Sequence, residues 1–363
     1  MREKPAITVI VVNYNSRKKW DVIEQCIRNI LLLKYRPLEV IFVDNGSTDG
    51  SYEFLEGLVN DVLEGAHGNF RVRIIRLSKN YGFAIANLIA YKLRNTETKY
   101  VALINNDLAP KPDSLERLVS ILERNPRIAG IQGIILSWDG KRVDSYGGLT
   151  TDHGFLYAVS HSLTPHALSK PIPVTYVDGA FSIYRVDALE RCGGLFLPYF
   201  FMWGDDYELG VRLWRCGYIL LAVPIIVGRH YRGLTVGRQQ MPYILEYWSW
   251  VSNIAVMVVL YGHPWVLQVL KRVPTALAAG SIKHSKAIVR GFIDGLRIGV
   301  KLRRRMLKEK PWLKVPKEPR LSVKIFHELA LLARLFLKHG FKASRVYYIG
   351  ITRSLGKAFV DET

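Results

Sequence analysis

Apolar residues in this chain come in short runs separated by polar turns, and the runs alternate between strand and helix periods. Ile7–Val12 is a continuous β-rich stretch ending in Asn13-Tyr14-Asn15-Ser16, which predicts a first strand. Trp20, Ile23, Ile27, Ile30 and Leu31 then recur at helical spacing, with Ser16 placed to cap that helix and Pro37 beyond its end. Leu38–Val43 predicts a second strand, followed by the turn-rich Asp44-Asn45-Gly46-Ser47-Thr48-Asp49-Gly50. Val72–Leu77 predicts a third strand, Tyr81–Leu93 a helix, and Tyr100–Ile104 a fourth strand running into Asn105-Asn106-Asp107. Farther on, a helical stretch passes through Arg212 and Trp214, and Ile219–Val227 predicts a strand ending at Arg229-His230-Tyr231-Arg232. This β-α-β-α order predicts an α/β fold: a mostly parallel sheet with helices on both faces. Ligands of such sheets lie beyond the carboxyl ends of the strands. The polar clusters at 13–15, 44–49 and 105–107 all fall at such ends.

Composition adds the scale. With 363 residues and 49% hydrophobic content the chain has ample material for two or three units, which excludes global disorder. Gly and Pro follow no period, which excludes a fibrous chain. The N-terminal apolar run is too short for a signal peptide. Cys26, Cys192 and Cys216 are odd in number and far apart, so no disulfide framework or thiolate metal spacing can be drawn, and a reducing compartment is expected.

Charge changes the picture more. Pro264 to Thr363 carries 22 Lys and Arg against 6 Asp and Glu, a net of +16, while the first 263 residues hold only +4. A boundary near 240 follows, with a nearly neutral domain over 1–240 and a basic, mainly helical domain over 241–363. The 24 residues Tyr247 to Leu270 contain no Asp, Glu, Lys or Arg, and Trp248, Trp250, Tyr261 and Trp265 stand at their two ends. Ile288, Phe292, Ile293 and Leu296 follow at helical spacing, beside Lys301, Arg303, Arg304, Arg305, Lys308 and Lys310. Apolar and basic faces together describe helices lying in a membrane interface. A span is long enough, but Asn253, Gly262, His263 and Pro264 interrupt it. A water-facing helical subdomain is the bland alternative. No zinc finger or RNA-binding signature is present, so nucleic acid is not the expected partner.

Candidate chemistry sits in the polar clusters. No Walker A motif and no G-x-G-x-x-G follows the first strand, which disfavours a dinucleotide-binding domain. Asp44 could accept hydrogen bonds from a base or ribose, or merely cap a turn. Asn80-Tyr81-Gly82-Phe83-Ala84 suits close backbone approach to a ligand, or an N-cap by Asn80. Asp107 could hold a hard divalent cation, which usually takes one or two carboxylates plus phosphate oxygens and water, or could cap the helix near Pro112. In Trp203-Gly204-Asp205-Asp206-Tyr207-Glu208 the paired carboxylates suit a helix start, or a general base acting on a hydroxyl. A lone histidine is usually structural, but His230 follows a strand able to return it to the edge that carries Asp107, so metal ligation is open.

Taken in order, Ile7–Asn15, Val43–Gly50, Asn80–Ala84 with Asn87, Leu103–Asp107, Asp178-Gly179-Ala180, Gly204-Asp205-Asp206 and His230 resemble the inverting family-2 glycosyltransferases of GT-A fold, in their rhamnosyl- and galactofuranosyl-transferase branch. The resemblance covers residues 6 to about 232. It implies that Asn13, Tyr14 and Asp44 hold the nucleotide of a sugar donor, with Asn80 and Gly82 beside them. Asn105-Asn106-Asp107 resembles the family's D-x-D triplet, with Asn105 in place of its first aspartate and Asp107 as the direct ligand of Mg²⁺ or Mn²⁺. His230 would complete the metal shell. Asp206 matches the catalytic base, with Asp205 in the place of the preceding glutamate. Asp178 and Gly179 line the donor-sugar or acceptor side. Arg212 falls near an R/Q-x-x-R-W region that is not intact and takes no role. A lipid-linked or surface-glycan acceptor follows from the basic C-terminal half, as do anionic lipids as a partner and the cytoplasmic face of the cell membrane as location, with peripheral or monotopic attachment. Two rival readings are a nucleotidyltransferase, which needs no hydroxyl-directed base, and a non-catalytic membrane- or polyanion-binding scaffold.

Overall fold

The computed structural model describes residues 4–63, 70–151, 156–158, 163–232, 242–260, 266–267, 269–270, 273, 285–309 and 319–321. Its strands are β1 (Ile7–Asn13), β2 (Leu38–Asp44), β3 (Phe70–Arg76), β4 (Tyr100–Ile104), β5 (Leu108–Pro110), β6 (Ile128–Ser137), β7 (Val143–Ser145), β8 (Gly148–Thr151), β9 (Leu156–Ala158), β10 (Ile172–Pro173), β11 (Phe181–Arg185), β12 (Ile219–His230) and β13 (Arg320–Leu321). Its helices are α1 (Trp20–Leu31), α2 (Ser51–Leu63), α3 (Phe83–Leu93), α4 (Ser114–Arg124), α5 (Val186–Arg191), α6 (Asp205–Arg215), α7 (Pro242–Leu260) and α8 (Ser285–Glu309).

The four strands expected from the first hundred residues form the parallel half of one sheet, in the order β3-β2-β1-β4. Beyond β4 the sheet is mixed. β11 is antiparallel to both β4 and β6, and β12 runs parallel to β6. A smaller sheet, β13-β8-β9, lies apart from it.

The period of two along β1 decides how the layers form. Ile7, Val9 and Val11 pack to one side with Ile23, Ile27 and Ile30 of α1 and Leu115, Leu118 and Leu122 of α4. Ile10 turns to the other side, against Ala86 and Ala90 of α3. Both faces are therefore covered, which explains why β1 and β2 read as unbroken apolar runs. The second core continues through Ala255, Val256 and Val259 of α7 and Leu302 of α8, so those two helices share a core with the sheet. Among the described residues no helix is long and apolar enough to cross a membrane.

Two local expectations are corrected. Ser16 does not cap α1: a short 3₁₀ turn, Arg17–Lys19, intervenes, and the Ser16 hydroxyl donates instead to Asn13 Oδ1 at 2.6 Å. The expectation that no disulfide could be drawn also fails. Cys192 and Cys216 form one, with Cα atoms 6.3 Å apart, joining the ends of α5 and α6, while Cys26 is free and buried. Their separation of 24 residues hid a pairing that only the packing of those helix ends creates.

Candidate active site

Parallel register places the ends of β1 and β2 side by side, with Asn13 opposite Asp44. Both are buried. Asn13 Nδ2 donates to Asp44 Oδ1 at 3.2 Å, and Asn13 Oδ1 accepts from Asn106 Nδ2 at 2.9 Å. Asp44 Oδ2 accepts the Ser47 backbone N–H at 3.1 Å. Asn15, in the left-handed region at φ 45°, accepts the Thr48 N–H through Oδ1 at 2.9 Å. The ends of three adjacent strands are thus stitched into one rigid rim, and Tyr14 stands half-buried on it.

The Asn80 loop is fastened to the same rim. Asn80 Oδ1 accepts from Asn45 Nδ2 at 2.9 Å and from the Gly82 N–H at 2.8 Å. Gly82, at φ 85°, lies against Phe201 O, and a β-carbon there would collide with it. The Phe83 N–H donates to that same carbonyl at 2.8 Å. The structure therefore gives Asn80 and Gly82 definite work in holding two loops together.

The carboxyl end of β4 carries the second group. Asn105 is partly exposed and its N–H donates to Ala180 O at 3.0 Å. β5 then turns back antiparallel against the last residues of β12, pairing Leu108 with His230. This short antiparallel pairing brings His230 Nε2 to 2.9 Å from Asp107 Oδ1, with both side chains 5% exposed. On its other edge, His230 Nδ1 lies 2.9 Å from Asp144 Oδ2. Burial alone would disfavour the charged ring, but Asp107 and Asp144 outweigh it and push the His230 pKa up to about 9. Arg232 Nε lies 2.8 Å from Asp144 Oδ1, and its Nη2 3.5 Å from Asp178 Oδ2.

Asp178 opens the third group. Its N–H donates to Gln132 Oε1 at 2.7 Å, and its Oδ1 accepts the Ala180 N–H at 2.9 Å. The next N–H, of Gly179, donates to Asp206 Oδ2 at 3.0 Å. A β-carbon at Gly179 would stand 2.8 Å from Asp206 Oδ1, so glycine lets the carboxylate approach the backbone. Asp205 and Asp206 open α6, where the positive end of the helix dipole favours them. Even so, Asp206 Oδ1 and Asp205 Oδ2 are buried with no hydrogen-bond partner. Burial first, and then the neighbouring carboxylates, push the Asp205 pKa up to about 6 and that of Asp206 well above the ordinary range. Buried among like charges, the two carboxyls favour protonation over joint ionisation.

Sequence comparison fits this arrangement. The profile of Glycosyl transferase family 2 matches residues 8–193. The chain belongs to glycosyl transferase family 2. An N-acetylglucosaminyl-diphospho-decaprenol L-rhamnosyltransferase of Mycobacterium tuberculosis is 24% identical over 251 residues, covering 64% of this chain and 78% of that one. A Bacillus subtilis glycosyltransferase assigned to teichuronic acid biosynthesis is 29% identical over 144 residues, covering 39% of this chain and 52% of that one. The match thus spans about half the length of the Bacillus relative. Among solved structures, GalNAc-T7 with UDP, GalNAc and Mn²⁺ aligns with a TM-score of 0.57 at 16% identity, covering 87% of this chain and 59% of that one. A Pyrobaculum calidifontis mannosyltransferase with GDP-Man and Mn²⁺ aligns with a TM-score of 0.50 at 17% identity, covering 96% and 86%. These likenesses establish the GT-A-type fold.

For a family-2 glycosyltransferase the donor set at Asp107 and His230 can be tested against a divalent ion. Among the described residues no group of three or more His, Cys, Asp or Glu converges to cage one. Asp107 Oδ1 and His230 Nε2 lie 2.9 Å apart and bond to each other, and the Asp144 carboxylate on Nδ1 would keep the ring oriented if Nε2 gave up its proton to an ion. This pair fits an ion that draws its remaining ligands from diphosphate oxygens and water. Asp144, Arg232 and Gln132 belong to this glycosyltransferase's polar cluster and were not singled out by sequence. Asp144 lies in a three-residue strand too short to carry a periodic signal, so nothing in the sequence marks it.

Proposed function

We propose that this glycosyltransferase moves a sugar from a nucleotide-diphosphate donor to a hydroxyl of a lipid-linked or surface-glycan acceptor, with inversion at the anomeric carbon. The carrying observation is Asp206: a carboxylate with one oxygen fixed by the Gly179 N–H and the other buried and unpartnered, linked to His230 and Asp107 through the neighbouring Asp178, Arg232 and Asp144. Burial and the Asp205 and Asp178 charges raise its affinity for a proton, which is what a base acting on a hydroxyl needs.

In this reading Asn13, Tyr14 and Asp44 shape the nucleotide side through the rim they build at the ends of β1 and β2, braced by Asn80 and Gly82 and flanked by Asn105 and Asn106. Asp178 and Gly179 position the base and border the reacting centre. Asp107 and His230 would hold Mg²⁺ or Mn²⁺, whose chemistry when bound is to neutralise negative charge on the departing diphosphate. Asp206 takes the proton of the acceptor hydroxyl, and Asp205 sets that carboxylate's proton affinity. The hydroxyl oxygen bonds to the anomeric carbon from the face opposite the diphosphate, and the electron pair of the breaking bond leaves with the diphosphate. The acceptor is presented at the cytoplasmic face of a membrane, with the chain attached peripherally or monotopically.

Asp206→Asn tests this. Transfer should fall by about 10²–10⁴-fold while nucleotide-sugar binding, read by thermal shift, stays within about twofold. A variant that retains its rate would point to phosphate as the nucleophile and to nucleotidyl transfer. A wild-type chain that turns over no nucleotide sugar with Mn²⁺ any faster than with chelator would leave the scaffold reading standing.

A further inference from the structure

α8 has two unlike faces. Gly291, Gly295 and Gly299 recur every fourth residue on the side that lies against α7, where a β-carbon at Gly295 would stand 2.7 Å from Val251 O. This close approach buries one side of the helix completely. On the opposite side Arg290, Arg297, Lys301 and Arg304 are all exposed. At 100° per residue they fall within a stripe roughly 60° wide. Val289 and Ile293, 38% and 42% exposed, flank that stripe. An open cleft of about 760 Å³ runs along it, walled by Leu296 and Val300 as well as by the cations. Toward its N-terminal end, Tyr243 and Tyr247 of α7 stand beside Arg290 and Ile293 in a second cleft of about 500 Å³. Asp294 is the one acid on α8 whose side chain is among the described residues. It accepts from the Tyr247 hydroxyl at 3.0 Å and from Arg297 Nη1 at 3.2 Å.

We infer that this outer face of α8 docks on the surface of a bilayer containing anionic phospholipid, and that docking holds the loop of Asp205 and Asp206 at the interface. The inference deepens the reading above, in which the acceptor is lipid-linked. Charge complementarity selects the partner: among the described residues the four cations face a single partly exposed acid, Asp294, which pairs with Arg297, and each cation near an anionic surface is worth roughly fivefold in partitioning. Aliphatic flanks distinguish lipid from nucleic acid. A polyphosphate chain would neutralise the stripe but leave Val289 and Ile293 facing water, whereas the acyl boundary of a bilayer takes them in. Arg and Lys stems extend that apolar contact while their heads stay at the phosphates, and tyrosine hydroxyls sit at the same level.

The link to the carboxylates is direct. Arg305 Nη1, on the same helix, lies 3.3 Å from the Tyr199 hydroxyl. The Phe201 ring stacks on Trp248 of α7, centroids 5.3 Å apart at 21°. Ser252 Oγ donates to Met202 O at 3.3 Å. Tyr199, Phe201 and Met202 lead straight into Asp205 and Asp206, so the two helices that face the bilayer also set the height of the base.

The test uses the full-length chain and vesicles of phosphatidylcholine alone or mixed with phosphatidylglycerol. Two variants are compared: the quadruple Arg290→Gln, Arg297→Gln, Lys301→Gln, Arg304→Gln, and the single Ile293→Ser. Wild type should sediment with the anionic vesicles, weaken as salt rises, and bind neutral vesicles at least about tenfold less. The quadruple variant should lose at least about tenfold and Ile293→Ser about threefold or more, both keeping the wild-type melting temperature. Equal binding of wild type to neutral and anionic vesicles overturns the inference, and so does a quadruple variant within about threefold of wild type. Loss on competition with polyuridylate combined with no effect of Ile293→Ser overturns it in favour of a polyanion site. UDP- and GDP-sugar binding is read in parallel by thermal shift. If vesicle binding behaves as expected but no nucleotide sugar binds, the sugar-transfer reading fails and the docking face stands.

Discussion

His230 draws its meaning from what lies on its two ring nitrogens. Asp107 stands at one and Asp144 at the other, both at 2.9 Å and all three buried. A carboxylate behind a ligating imidazole fixes the ring's orientation and raises its basicity, and loss of such a partner typically costs 10–100-fold in metal affinity. Asp144→Asn should therefore weaken Mn²⁺ binding about 10–100-fold, measured by electron paramagnetic resonance titration in the presence of UDP or GDP, and unchanged affinity would refute the positioning role. Asp205 makes a prediction of opposite character. Its pKa, pushed up to about 6 by burial and by Asp178 and Glu208, exceeds the 3.8 of a free carboxyl, so the folded chain binds this proton more tightly than the unfolded one. The resulting stabilisation is complete below pH 3.8 and disappears as pH rises through about 6. At pH 7 the ionised group is a burden, and Asp205→Asn should raise stability there by up to about 3 kcal/mol, while leaving it nearly unchanged at pH 4. Chemical denaturation at the two pH values reads this directly, and a variant destabilised at both refutes it. Asp107, Asp206 and His230 were legible because each ends or opens an element beside turn residues. Asp144 and Arg232 were not, because their importance arises only when β7 and the end of β12 meet.

Elements show the same division. The parallel strands and α1 were readable because β-branched runs and 3.6-residue spacing are local signals. Of the second half only β12 was readable, from the run Ile219–Val227: β11 enters antiparallel between β4 and β6, and nothing in its five residues announces that insertion. Nor did the sequence motif near Arg212 disclose its work. Arg212 is buried with Glu208, 2.7 Å away, both 1% exposed. It also donates to Cys192 O, Gly194 O and Leu195 O, each at 2.8 Å. One guanidinium thus ties α6, which opens with the two carboxylates, to the chain leaving α5, in the region the disulfide also closes. Breaking a buried ion pair from one side leaves an unpaired charge and costs about 3–5 kcal/mol. Arg212→Ala should lower denaturation stability by that amount, and Arg212→Ala/Glu208→Leu should recover part of it, since the double change removes the stranded carboxylate. A single variant as stable as wild type would show that α6 is held by other means.

Across the whole molecule, charge and packing divide the chain differently. The excess of basic residues begins past Pro264 and was plain in the sequence. Packing is continuous across residue 240: Ala255, Val256 and Val259 of α7 and Leu302 of α8 lie in the core that contains Ile10 of β1 and Tyr207 of α6. No periodicity could disclose that, because an apolar helix side reads alike whether it meets its own subdomain or a distant sheet. The helices also brace the approach to the carboxylates, through Trp248 on Phe201 and Ser252 on Met202. A fragment ending at residue 240 would keep the strand-end rim of Asn13, Asp44 and Asn106 but lose this bracing and expose the apolar surface beneath. Several large side chains lose their cover, at about 1.5–3 kcal/mol each, and in a chain of this size each kcal/mol moves the melting temperature by about 2–4 °C. The fragment should therefore melt at least about 10 °C below the full chain or aggregate on expression. Differential scanning calorimetry decides it: one cooperative transition for the full chain and a strongly lowered one for the fragment is expected, whereas a fragment melting at the full chain's temperature would show that the charge boundary is a folding boundary too.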